Sequence, residues 1–136
     1  MARVPYLRWT PPPPLDRVVD HYWVFEDHEV PADRGVLFAD GCTDLMFHLT
    51  GAILLHTGRT VSRWSGSWVS GQRTQPIRIE LLSRRFTMVG ARLRPTGLAA
   101  LLRAPACESR DLVLELRHFW GSLAAETAEL LAAAAG

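Results

Sequence analysis

The sequence predicts a mainly β, α+β domain: an antiparallel sandwich or barrel followed by C-terminal helices. Three observations predict it. Between Tyr22 and Leu93 short apolar or alternating runs recur with turn residues between them. After Pro95 the leucines fall at helical spacing instead. The 136 residues, 48% hydrophobic and 21% charged, suffice for one core and one domain over 1–136.

Residues 1–14 read as an extended segment, because Pro11-Pro12-Pro13-Pro14 lack backbone donors and have fixed φ. Leu15 to Asp20 suits one or two helical turns, and the barrel is expected over 15–94. Its strands are expected at Tyr22–Phe25, Val36–Phe38, Leu45–Leu49, Ile53–His56, Trp68–Val69, Ile77–Leu82 and Phe86–Leu93. Asp40-Gly41, Thr50-Gly51, Thr57-Gly58 and Ser70-Gly71 supply reversals between them. The helical part is 95–136. Pro95 starts a helix carrying Leu98, Leu101 and Leu102, a second covers Leu112 to Trp120, and Gly121 ends or bends it. In a third helix, Leu123, Thr127, Leu130 and Ala134 form one face.

Charge and cysteine content exclude several classes. A net charge of +1 gives no concentrated basic face, so the domain is not expected to hold DNA alone. All 15 basic residues are Arg, read as a mark of genome composition. No apolar run approaches the ~20 residues of a membrane span, and Met1-Ala2-Arg3-Val4-Pro5 is unlike a signal segment, so a cytoplasmic protein is expected. Cys42 and Cys107 fit neither a zinc spacing nor a disulfide framework.

Several segments, in order, resemble one subgroup of the AraC-type transcriptional regulators. Tyr6, the proline run and Tyr22-Trp23-Val24 resemble its opening. Asp40-Gly41-Cys42-Thr43-Asp44-Leu45 resembles its Asp-Gly-Cys-x-Asp-Leu motif, and Gly71-Gln72-Arg73-Thr74 its Gly-x-x-Thr segment. Val89 to Pro95 resembles its strand ending in Arg-x-Arg-Pro, and Leu116 to Gly121 its helix closing in Trp-Gly. Ala39 and Thr96 depart from the usual proline and glycine. The resemblance implies a cupin-like, jelly-roll barrel followed by helices, acting as a non-enzymatic sensor and dimerisation domain. It further implies a small-molecule effector, a homodimer, and DNA contact only through a helix-turn-helix domain that nothing after Gly121 resembles.

The candidate ligand-binding residues are Asp44, His48, Arg92, Arg94, Trp64 and Trp68. Asp44, Met46 and His48 share one strand face, and Leu45, Phe47 and Leu49 the other. Either the odd set packs the core and Asp44 and His48 meet solvent or a helix, or the even set faces a barrel cavity. Arg92 and Arg94 share a face with Gly90, and Asp44 with Arg92 is expected to form a structural ion pair. Trp64 and Trp68, in a polar stretch, suit a pocket mouth or partner surface. Cys42 is a redox candidate set against an inert buried thiol. No metal or other cofactor is expected, since the histidines lack the His-x-His pattern of metal cupins; a hairpin through Gly51 is the one route by which His48 and His56 could approach each other. Leu123, Thr127, Leu130 and Leu131 are the dimerisation candidates. The rival readings are a small metal-dependent cupin-like enzyme and a stand-alone module that forms heterodimers with a full-length regulator.

Overall fold

The computed structural model describes residues 6–28, 34–37, 42–57, 60–72, 74, 77–82, 85–103 and 110–135. The Asp40-Gly41 turn, Gly58, Arg73 and Cys107 lie outside them, as does Phe38. Strand β1 (Tyr6–Trp9) precedes a 3-10 turn at Leu15–Arg17. There follow β2 (Val19–His28), β3 (Arg34–Leu37), β4 (Thr43–Thr50), β5 (Ile53–Thr57), β6 (Thr60–Trp64), β7 (Ser67–Ser70), β8 (Ile77–Leu81) and β9 (Arg85–Leu93). Helix α1 (Pro95–Gly97) continues as a wider turn, Leu98–Leu102; β10 (Val113–Glu115), α2 (Arg117–Trp120) and α3 (Leu123–Ala135) complete the chain.

The strands form two antiparallel sheets, one in the order β1-β2-β9-β4-β7-β10 and one in the order β3-β8-β5-β6. The chain changes sheet after β2, after β3, at Thr50-Gly51 after β4, and again after β6, β7 and β8. This is the expected cupin-like barrel with terminal helices.

Cross-strand partners share a face, so register decides what each side of the six-stranded sheet presents. Asp44, Met46 and His48 pair with Arg92, Gly90 and Met88, and Met46 also pairs with Trp68. This inner face meets Ile53 and Leu55 of the second sheet in a core that includes Trp23, Trp68 and Phe86. On the outer face Leu45, Phe47, Val69, Ala91 and Leu93 pack against Leu98, Leu102, Leu116 and Ala124 of the C-terminal segment. Both sides of the sheet are therefore buried, which removes the choice posed by the sequence: odd and even residues of β4 pack into different cores.

Three local expectations need correction. β6 is a strand where none was predicted; it is an edge strand with largely exposed side chains, so its polar sequence carried no apolar alternation. The helix expected over Leu112 to Trp120 is helical only at Arg117–Trp120. Val113–Glu115 instead adds β10 to the edge of β7, with Val113 opposite Ser70 and Glu115 opposite Trp68. Gly121 does end α2: its N–H bonds the Arg117 carbonyl at 2.8 Å, and its φ of +58 is one a side chain disfavours. Finally, α3 buries Ala124 and half-buries Thr127, Ala128 and Leu131, not the Leu123, Thr127, Leu130 and Ala134 face.

Candidate functional site

The inner face holds a polar network at the start of β4. Asp44 is nearly buried and accepts from Arg92 Nε at 3.3 Å, Arg92 Nη2 at 3.2 Å and Trp23 Nε1 at 3.2 Å. The expected Asp44 and Arg92 pair is thus present, in a forked geometry that holds both carboxylate oxygens. Side-chain exposure is 9% for Asp44 and 29% for Arg92. Loss of one partner therefore costs about 2–3 kcal/mol, less than for a pair wholly removed from water. Gly90 makes this network possible. A Cβ there would lie 2.1 Å from the Trp23 ring, so only glycine lets the indole cross β9 and reach Asp44.

His48 lies farther along the same face, its ring 5.5 Å from Trp68 and 5.2 Å edge-on to Phe86. Burial pushes its pKa down from 6.5 to about 4, the Gly51 backbone pulling less strongly the other way. Apart from the weak pull of the Gly51 backbone, the imidazole nitrogens make no well-formed hydrogen bond among the described residues, and neither does Trp68 Nε1. Each such atom costs about 1–3 kcal/mol.

The remaining candidates separate. Trp68 is 0% exposed, so it is core and not a pocket mouth or partner surface. Trp64 packs on it at 5.8 Å, half-buried, with Nε1 donating to Ser62 Oγ at 2.9 Å. Arg94 lies beyond the end of β9 and leaves the inner face altogether. It donates to the Asp16 carbonyl at 2.8 Å and pairs with Asp20 at 3.3 Å on the surface. His21 donates to Asp20 at 2.7 Å and holds that carboxyl below its usual range. His56 meets Glu80 at 3.5 Å in the second sheet and is not brought to His48. Cys42 lies half-buried just before β4 and is not in a disulfide. Among the described residues no three His, Cys, Asp or Glu side chains are grouped to hold a metal ion. No helix of the described residues is long and apolar enough to cross a membrane.

A cavity of about 350 Å³ lies on the other side of the sheet, beneath the C-terminal helices. Its floor includes Leu45, Phe47, Val89 and Ala91; Trp9, Tyr22, Leu101, Trp120, Thr127 and Leu131 form its walls. Of the dimerisation candidates, Thr127 and Leu131 thus face inward to this cavity. Leu123 and Leu130 face outward, 51% and 73% exposed. Sequence reasoning missed the cavity because its walls come from both ends of the chain. Trp9 and Trp120 read as ordinary packing residues, with no local pattern to join them.

The model of the family described as Domain of unknown function (DUF6597) matches residues 7–115. Among solved structures, the Cnp3 cupin domain of Schizosaccharomyces pombe is similar, with a TM-score of 0.51 and 13% identity. The alignment covers 73% of this chain and 66% of that one, and the likeness is one of fold. No curated protein matches the sequence.

Proposed function

We propose a function from one premise: the chain belongs to the DUF6597 family and has a cupin-like fold. It is a non-enzymatic, ligand-sensing and dimerisation domain of an AraC-type transcriptional regulator, working in the cytoplasm with a helix-turn-helix domain outside this sequence. The observation that carries the reading is the placement of the C-terminal segment on the outer face of the sheet that lines the barrel. One sheet separates an interior with polar groups from helices that expose leucines. Supporting it are the five ordered motifs, from Tyr22-Trp23-Val24 to Trp120-Gly121.

The physical logic is a difference in affinity. A ligand shifts transcription only if it binds better to one arrangement of barrel and helices than to another. In this reading α3 is the moving element, and its outward Leu123 and Leu130 form the contact with a second copy. Sedimentation of the purified chain tests this. The expected result is a dimer that becomes a monomer when Leu123→Arg and Leu130→Arg are combined, with an unchanged far-ultraviolet circular dichroism spectrum because both side chains are exposed in the single chain. A wild-type chain that stays monomeric at every soluble concentration refutes the dimerisation role.

A further inference from the structure

The cavity between the sheet and α3 is distinct from the barrel interior. The interior beside Ile53 and Leu55 is filled by Trp68 and Phe86, which are essentially inaccessible. The outer cavity is open enough to admit a guest and closed enough to surround one. We propose that it binds an uncharged aromatic small molecule about two fused rings in size.

Size comes first. An apolar cavity of roughly 150 Å³ accommodates one benzene ring, and the 350 Å³ here is more than twice that. A macromolecular helix does not enter, since it is about 10 Å across and rises about 5.4 Å per turn. Charge comes second. Among the described residues no Asp, Glu, Arg or His lines the cavity. An ionised guest would shed its hydration with nothing to replace it.

The walls supply the shape preference. Trp9 and Tyr22 stand 5.9 Å apart on one side, and Trp120 and Leu101 close another. Flat rings pack against such faces in offset or edge-on geometry. Several polar atoms of the wall are already engaged. Trp120 Nε1 donates to the Leu101 carbonyl at 2.7 Å and Thr127 Oγ1 to the Leu123 carbonyl at 2.8 Å. The lining therefore selects by ring area more than by hydrogen bonds. A guest touching Ala91 and Leu131 at once would fasten α3 to the sheet. That consequence, control of the outward leucines, rests on the sensor reading; the binding itself does not.

The test titrates the full chain with 2-naphthol, neutral at physiological pH, and with 2-naphthoate, the same rings carrying a carboxylate. Calorimetry measures affinity and methyl NMR locates the site. The expected result is saturable binding of 2-naphthol at one site, at least about tenfold tighter than 2-naphthoate, equivalent to ~1.4 kcal/mol. Methyl shifts are expected at Ala91, Leu101 and Leu131. Thr127→Trp, which fills the cavity from α3, is expected to weaken binding by at least about tenfold; if that variant does not fold, Leu131→Phe gives the same reading. The proposal is overturned by shifts at Ile53 and Leu55 instead, by equal affinity for the two probes, by no saturable binding up to the solubility limit, or by undiminished binding in a folded cavity-filling variant. A monomeric chain that still binds 2-naphthol refutes the dimerisation role and leaves this site standing.

Discussion

The two faces of the six-stranded sheet differ in how completely they are packed. The inner face carries Trp23, Met46, Trp68, Phe86 and Met88 in a close core, together with Asp44, Arg92 and His48. The outer face carries Leu45, Phe47, Val89 and Ala91, and leaves a cavity beneath α3. Close packing on one side and slack on the other teaches where change is tolerated. A filled interior resists substitution because surrounding atoms relax only in part. A face with an existing void loses fewer contacts and has room to adjust.

The strongest way to break this contrast is Phe86→Ala. The ring is buried between the sheets, so urea denaturation is expected to show a loss of about 4 kcal/mol. A loss no larger than that of an outer-face truncation would end the distinction.

Acid probes the inner face next. Unfolded His48 binds a proton near its ordinary pKa of 6.5, whereas the folded protein resists protonation until about 4. The unfolded state thus holds more protons between these values, and stability falls as pH drops from 6.5 toward 4. The expected loss is about 3 kcal/mol. Melts across that window are expected to slope downward for wild type and to flatten for His48→Leu. A parallel slope in the variant would assign the effect to other groups.

The smallest effect belongs to the outer face. Leu131 is half-buried at the cavity, and Leu131→Ala is expected to cost about 1 kcal/mol in the same urea assay. A cost close to that of Phe86→Ala would mean that α3 is packed as tightly as the barrel.

Much of the barrel was legible in advance because alternation is a local property of a strand. The runs at Leu45 to Leu49 and Phe86 to Leu93 are strands, and the turn at Thr50-Gly51 joins β4 to β5. The Asp44 and Arg92 pair was legible too, since an acid and an arginine on otherwise apolar strand faces require each other. Arg94 was misplaced because the strand ends one residue before it. Val113–Glu115 was misread because the pairing that makes it a strand is with Ser67–Ser70, more than forty positions earlier. The sequence also held a helix at Leu123–Ala135 but not its orientation: alanines at 124 and 128 let the helix approach the sheet, and a leucine-based face is one position away.

What the sequence by itself determined is the series of strands, the change to helix after Pro95 and the acid and arginine that pair. These follow from side-chain alternation and from the cost of isolated buried charge. Tertiary structure alone decided that both faces of β4 are covered, that His48 is held neutral between aromatic rings, and that an apolar cavity lies under α3. The reason is that burial of a face depends on what lies across from it, and Trp9, Ala91 and Trp120 become neighbours of one cavity only when the whole chain has folded.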